Sequence, residues 1–322
     1  MLVKSALGRV KHCAIGCCFF WLLAGQAMAA PLVITDDLGR EIKLSAPARR
    51  VVVLGDFAAE LVVALKAQNL LVGRARWVSW PPEVGALPHL GLQTQPNLEV
   101  LLSWQPDLIL ADAHLRQALP LLDKLNLPVA IYQGRDMPAI KHAISSLALA
   151  LARQEQGAKL MAFVNEVETI LAARRLEPQP LLLAFSQHGP PYFDILSVRP
   201  LLALAGLINV IPDKGSVNPE WLLYHPPAMA VLVLWRPAAL NLDLAKSWQE
   251  LGQRPELATI ESLYLMDSRL AYNLQALAGL LYLAKWRHPE TMGDIDPLKY
   301  HQRLWQEFFG MPLLSPMVYP YD

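Results

Sequence analysis

The chain has 322 residues, of which 54% are hydrophobic, and it carries 28 basic and 28 acidic side chains. That length is enough for two domains of ordinary size. Nucleic-acid binding needs a strongly basic face, and the balanced charge gives no support for one. We therefore expect no nucleic-acid partner.

Residues 1–29 are predicted to be an export signal. Basic residues within 1–11 precede an apolar run at 13–25 and a small-residue Ala-Met-Ala motif at 27–29. We expect cleavage after Ala29, and so an exported protein. All three cysteines precede that point. The mature chain is therefore expected to form no disulfide and no thiolate metal site.

Strands and helices are predicted to alternate over residues 30–137, which indicates an N-terminal α/β lobe with a largely parallel sheet. In chain order we expect a β-hairpin at 32–44, a strand at 51–55, a helix at 56–68, a strand at 70–77, a proline-rich loop ending at 96, a short helix and strand at 97–111, a helix at 114–126 and a strand at 128–132.

Residues 138–177 are predicted to form a helical connector, because they lie within the longest proline-free stretch and their apolar residues recur at helical spacing. Gly157 is expected to divide it into two helices. The second should end near Arg174, where basic side chains suit a helix C-terminus.

Residues 178–322 are predicted to repeat the α/β alternation as a C-terminal lobe. The expected elements are strands at 180–185, 228–235 and 262–267, and helices at 200–207, 218–226, 244–251, 274–286 and 297–309. The final segment, 311–322, has no assignment.

A short internal repeat flanks the connector. Residues 97–110 and 218–231 share asparagine, glutamate, two leucines and proline at matching positions. Each copy is typical of a short helix that begins after Asn, carries Glu in its first turn and ends before Pro. Its placement on both sides of the connector favours a duplicated lobe.

The mature chain resembles the periplasmic substrate-binding proteins of iron-chelate and cobalamin ABC importers. The resemblance runs through the chain in order and is carried by TDDLGREIKL, ARRVVVLG, AELVVAL, NLEVLLSWQPDLILAD, VNPEWLLYHPPAMAVLV and LAKWRHPETMGDID. It implies an α/β fold of two Rossmann-like lobes with mainly parallel sheets, joined by a long helix, with the ligand cleft between them. It also implies a periplasmic, monomeric protein that is no enzyme.

The resemblance further implies a partner, the importer's permease dimer with its ATPase subunits. In this family one exposed glutamate per lobe docks onto permease arginines, and Glu99 and Glu220 occupy the matching positions. The alternative is that each glutamate only stabilises its own helix N-terminus. Lobes joined by a helix are also expected to close little on ligand.

Ligands in open α/β sheets bind beyond the carboxyl ends of the strands, so residues that follow predicted strands are the candidate contacts. Two clusters that combine tryptophan and arginine should face each other across the cleft. This suits a bulky, partly apolar and partly anionic metal chelate that contains iron or cobalt, of the ferric siderophore, haem or cobalamin type. The candidates are Arg76, Trp77, Trp80, Arg135, Tyr192, Trp235, Arg236 and Tyr272. For each tryptophan, packing between the lobes is the alternative.

No resident cofactor, catalytic residue or metal site is predicted. The histidines lack paired ligand spacing, although direct haem ligation by His114 or His188 stays open. Isolated carboxylates such as Asp56 and Asp112 are typical of caps or turns. The competing interpretations are a binding protein for a small oxyanion of the molybdate type or a free metal ion, and, more remotely, a chelatase-like enzyme.

Overall fold

The computed structural model describes residues 31–186, 189–195, 198–212, 215–235, 243–314 and 317–320. The predicted export signal lies outside these residues. The chain from Pro31 onward forms one compact unit. Two main sheets and the helices around them form two α/β lobes. The lobe boundaries at 137 and 178 remain predictions.

The first lobe contains a four-stranded parallel sheet in the order β4-β3-β7-β8. These strands are β3 (Val51–Val53), β4 (Leu71–Arg74), β7 (Leu108–Ala111) and β8 (Val129–Ile131). β3, β7 and β8 are buried along their whole length, as expected for apolar runs covered on both faces.

Helices and two antiparallel hairpins surround this sheet. The helices are α1 (Asp56–Ala64), α2 (Pro82–Gly85), α3 (Leu98–Ser103) and α4 (Leu119–Lys124). The hairpins are β1 (Leu32–Thr35) with β2 (Glu41–Leu44), and β5 (Gly91–Leu92) with β6 (Gln95–Pro96). The predicted hairpin at 32–44 is therefore confirmed.

The connector consists of α5 (Met137–Ala150) and α6 (Gln154–Ala173). The prediction that Gly157 divides them is wrong. The break lies at residues 151–153, where Ala152 adopts a left-handed conformation with φ 53°. Gly157 lies inside α6, and a Cβ built there would come within 2.5 Å of the Ala148 Cβ. Its missing side chain therefore permits close packing of α6 on α5.

The second lobe contains a seven-stranded sheet among the described residues. Its centre is the parallel set β11-β9-β13-β14, and β10, β12 and β15 add antiparallel edges. The strands are β9 (Gln179–Phe185), β10 (Tyr192–Asp194), β11 (Leu207–Asn209), β12 (Ser216–Val217), β13 (Met229–Leu234), β14 (Ser262–Asp267) and β15 (Val318–Tyr319). The unassigned C-terminal segment thus supplies an edge strand.

The helices of the second lobe follow the predicted order. They are α7 (Arg199–Leu204), α8 (Pro219–Tyr224), α9 (Leu244–Gly252), α10 (Pro255–Ala258), α11 (Ser268–Ala271), α12 (Ala276–Arg287) and α13 (Pro297–Leu304), which continues into a π-helical turn, Trp305–Phe309. Among the described residues, no helix combines the length and apolar character that a membrane span requires.

The π-helical turn packs against the first lobe and the connector. Phe308 contacts Phe163 of α6 edge-on, with ring centroids 5.6 Å apart, and its carbonyl accepts a hydrogen bond of 2.7 Å from the Lys66 ammonium group. The C-terminal helices therefore tie both lobes to the connector beneath the cleft.

Candidate functional site

A cavity of about 420 Å³ lies where the strands of the first lobe end. Residues after β3, β7 and β8 form one wall, and residues of α7 and of the turn after α11 form the other. The lining residues are Asp56, Phe57, Gln93, Asp112, Ala113, His114, Tyr132, Gln133, Gly134, Arg135, Val198, Leu201, Tyr272 and Asn273. The cavity thus occupies the cleft position that parallel strands predict.

Two predicted ligand contacts, Arg135 and Tyr272, line this cavity. Arg135 is exposed and follows β8. Burial raises the pKa of the Tyr272 hydroxyl to about 12, and the nearby Asp56 carboxylate acts in the same direction. The tyrosine is therefore a neutral hydroxyl across the ordinary pH range.

The Trp77 and Trp235 side chains meet between the lobes. Their ring centroids are 6.1 Å apart in an edge-on arrangement, and the Arg76 guanidinium lies 5.1 Å from the centre of the Trp77 ring. Trp77 is still 57% exposed, so most of its surface is open to a ligand. These three residues contact one another but are not among the residues that line the cavity. Their contact with ligand stays a prediction.

Trp80 packs between structural elements, which is the alternative weighed for it above. Its ring lies 4.8 Å from that of Trp305, and the Arg269 guanidinium lies 4.7 Å from its centre. Trp80 thus has a packing role, and its contact with ligand stays a prediction. Arg236 and His188 lie outside the described residues.

The prediction that Tyr192 contacts ligand is wrong, because it is a structural residue. It is fully buried, and its hydroxyl donates a hydrogen bond of 2.8 Å to Glu256, a glutamate that is itself buried. Both requirements of a buried tyrosine, an apolar environment and a partner for its hydroxyl, are met without a ligand.

Tyr192→Phe should lower the free energy of unfolding by about 1–3 kcal/mol, because it removes the hydroxyl that donates to the buried Glu256 carboxylate. Chemical denaturation measures this, with Tyr224→Phe as the control, since Tyr224 is 83% exposed. Equal stability of the two variants would contradict a structural role for the Tyr192 hydroxyl.

Asp56 and Glu60 place two carboxyl groups one turn apart on α1, of which Asp56 lines the cavity and Glu60 is buried. Burial, reinforced by the Asp112 carboxylate, raises the pKa of Asp56 to about 7, and His114 acts in the opposite direction. Burial raises the pKa of Glu60 to about 8, against the hydrogen bonds that it accepts. Both groups thus titrate near neutral pH.

Glu60 connects the two lobes through a buried chain of hydrogen bonds. Its carboxyl oxygens accept from the Leu274 backbone N–H at 2.9 Å and from the Gln275 amide at 3.0 Å. The Gln275 oxygen in turn accepts from the Trp305 indole N–H at 3.0 Å. Because the indole can only donate, it fixes the orientation of the glutamine amide.

Sequence analysis did not identify Glu60. Its partners lie more than two hundred residues further along the chain, so no local pattern predicts them. The available signal was a carboxyl group in the otherwise apolar run AAELVVAL, on a helix that the flanking strands bury. Within the described residues, no group of three His, Cys, Asp or Glu side chains is placed to hold a metal ion.

Glu99 and Glu220 lie at matching positions on α3 and α8. Each helix is capped by the preceding asparagine, whose side chain accepts from Val100 N–H at 3.1 Å in the first lobe and from Trp221 N–H at 2.8 Å in the second. Both glutamates are exposed, and no ion pair to either occurs among the described residues. The repeat thus presents one exposed carboxylate on each lobe.

Comparison with known proteins places these features in context. Residues 51–263 match the sequence model of a protein family described as periplasmic binding protein. The vitamin B12-binding protein of Pectobacterium carotovorum is 24% identical over 195 residues, which cover 57% of this chain and 71% of that protein. Its counterpart from Vibrio cholerae is 26% identical over 221 residues, covering 63% and 76%.

Solved structures share the fold at lower identity. The TroA-like periplasmic binding protein FepB from Veillonella parvula has a TM-score of 0.76 and 19% identity, covering 91% of this chain and all of that one. A periplasmic heme-binding protein from Pseudomonas aeruginosa has a TM-score of 0.62 and 20% identity, covering 84% and 97%. The molybdate-binding protein MolA from Haemophilus influenzae has a TM-score of 0.69 and 20% identity, covering 87% and 98%.

Proposed function

This chain belongs to the periplasmic binding protein family, and from that premise we propose that it captures a metal chelate of the cobalamin type for an ABC importer. The observation that carries the ligand class is the similarity to vitamin B12-binding proteins over most of their length. The cleft supports it, since aromatic side chains of both lobes, Phe57, Tyr132 and Tyr272, line the cavity at the strand ends.

The geometry sets a requirement for such a ligand. A cavity of about 420 Å³ is near the lower end of small-molecule sites, which span roughly 300–1,000 Å³. A corrinoid is larger than most drug-sized molecules, so it must also occupy the space between Trp77 and Trp235. We infer that these rings separate and pack on the ligand's apolar faces, while Arg76 and Arg135 contact polar groups at its edge.

Trp77→Ala combined with Trp235→Ala should weaken cyanocobalamin binding by about tenfold or more, because each aromatic contact is worth about 0.5–1.5 kcal/mol and 1.4 kcal/mol is tenfold. Titration followed by intrinsic fluorescence or calorimetry measures the change. Tyr224→Ala, which truncates an exposed aromatic side chain on α8, is the control and should bind like the wild type. Unchanged affinity in the double variant would remove the tryptophans from the site.

The function itself is tested by thermal denaturation of the purified protein with cyanocobalamin, haemin, a ferric siderophore, molybdate and Ni²⁺. Ligand binding stabilises the folded state in proportion to the logarithm of ligand concentration over Kd, so the cognate class should give the largest shift. We expect that shift with cyanocobalamin. A larger shift with molybdate or Ni²⁺ would establish the small-ion alternative instead.

Partner and location follow from the same proposal. The export signal over residues 1–29 would deliver the chain to the periplasm, where it acts by stoichiometric binding without turnover. Glu99 and Glu220 would dock onto arginines of the two permease subunits, because a carboxylate on each lobe matches a two-fold symmetric partner.

A further inference from the structure

The floor of the cleft presents a hydrogen-bond acceptor that the protein leaves unused. Asp56 begins α1, and its side chain lines the cavity. Among the described residues, no hydrogen bond or ion pair reaches its carboxyl group. Glu60, one turn further along the same helix, differs because the second lobe donates to both of its oxygens.

The side-chain donors of His114 and Arg269, on two neighbouring elements, are engaged with other carboxylates. From the end of β7, the His114 ring Nδ1 lies 2.9 Å from Asp112, and the His114 backbone N–H donates to the same carboxylate at 2.8 Å. From α11, the Arg269 guanidinium donates to both carboxyl oxygens of Asp267, at 3.0 and 2.8 Å. His114, the charged donor that acts on Asp56, is therefore already paired with Asp112, and Arg269, which acts on Glu60, is paired with Asp267.

The remaining neighbours make the floor more acidic. Asp112 lines the same cavity and raises the pKa of Asp56 together with burial, and Glu60 follows one turn later on α1. Tyr272, on the turn after α11, presents a hydroxyl but forms no hydrogen bond to Asp56 within the described residues. A ligand group that reaches Asp56 meets carboxyl oxygens, which attract N–H donors and repel anions, whereas the cation of this cavity, the exposed Arg135, lies on the part of the lining that follows β8.

We propose that Asp56 accepts a hydrogen bond from an N–H donor at the edge of the cargo, so that the floor selects chelates edged with carboxamides over chelates edged with carboxylates. This inference rests on the proposed function and adds the chemistry that selects within the chelate class. Peripheral carboxamides are characteristic of corrinoids, whereas the side chains of haem end in carboxylates.

Binding should then depend on pH with a definite sign. The ionised carboxylate is the stronger acceptor for N–H. Because burial and Asp112 raise the pKa of Asp56 to about 7, a donor ligand must displace a proton from Asp56 below that pH. If only the ionised form binds, affinity falls by about tenfold from pH 8 to pH 6. A ligand carboxylate at the same point would show the opposite trend.

Cyanocobalamin titrations at pH 6, 7 and 8 test the inference. The wild type should bind about tenfold more weakly at pH 6 than at pH 8, and calorimetry in two buffers at pH 6 should detect the release of about one proton. Asp56→Asn keeps an acceptor oxygen but cannot titrate, so its affinity should be independent of pH and below that of the wild type at pH 8. The control Asp123→Asn, on the surface of α4, should keep the wild-type profile.

A second probe separates amides from carboxylates. Hydrolysis of single carboxamides of cyanocobalamin gives a set of monocarboxylic acids. The derivative whose carboxylate meets Asp56 should bind at least tenfold more weakly than cyanocobalamin at pH 8. At pH 6 its affinity should recover. If cyanocobalamin binds with the same affinity at all three pH values, or every derivative matches it at pH 8, the inference is overturned and the proposed function stands. If cyanocobalamin fails to bind at any pH, both are overturned.

Discussion

Uptake of cargo by the importer should be lost when Glu99 and Glu220 are both replaced by alanine, while the affinity for cyanocobalamin stays unchanged. Each glutamate lies in the first turn of the repeated helix, exposed and without an ion pair in the described part of the chain. Hydrogen bonds to charged groups are worth about 1.5–3 kcal/mol, so losing two should weaken docking by more than about a hundredfold. Transport into vesicles carrying the importer measures this.

The structure offers a matched control for the docking variant. Glu155 and Glu250 are also exposed glutamates on helices, and each pairs with a lysine one turn away. Replacing both by alanine makes the same change in charge, and uptake should stay at the wild-type level. Retained uptake in the Glu99/Glu220 variant, or loss of its ligand binding, would contradict the docking role.

Glu60→Ala should lower the free energy of unfolding by about 2–4 kcal/mol, because it leaves two buried N–H donors unsatisfied and a cavity where the lobes meet. The donors, the Leu274 backbone N–H and the Gln275 side-chain amide, form no hydrogen bond to another acceptor among the described residues. Chemical denaturation measures the change. The control variant Glu155→Ala should leave the denaturation midpoint unchanged. Equal midpoints for the two variants would show that the buried chain contributes nothing.

Glu60→Gln should change how stability depends on pH. The pKa of Glu60 is raised from 4.5 to about 8, so the folded state keeps a proton that the unfolded chain releases. The resulting stabilisation is complete below about pH 4.5 and is lost as the pH rises through 8. In the Glu60→Gln variant, the free energy of unfolding should therefore decline less between pH 4.5 and pH 8 than it does in the wild type. Chemical denaturation at several pH values measures the difference.

Local sequence features predicted the fold well where the determinants are themselves local. The apolar strands, the hairpin at 32–44 and the repeated caps at Asn97 and Asn218 depend on residues a few positions apart, and the structure confirms them. Gly157 was misassigned because a glycine that breaks a helix and one that lets two helices approach look alike in sequence. Only the contact with Ala148 distinguishes them.

The site was less predictable because its residues are defined by distant partners. Trp80 and Tyr192 follow strands, as ligand contacts do, but Trp305 and Glu256 give them structural roles. Asp56 follows a strand too and looks like a capping carboxylate in sequence. Its position at the cavity, with no donor from the described protein, becomes visible only once the lobes are assembled.

Equilibrium dialysis of the purified protein against cyanocobalamin tests the central claim most directly. We expect saturable binding of about one corrinoid per chain, competed by other corrinoids, with the bound molecule recovered chemically unchanged. Such a result would establish a binding protein for this class of chelate. Absence of saturable binding, or conversion of the ligand during the experiment, would contradict the account.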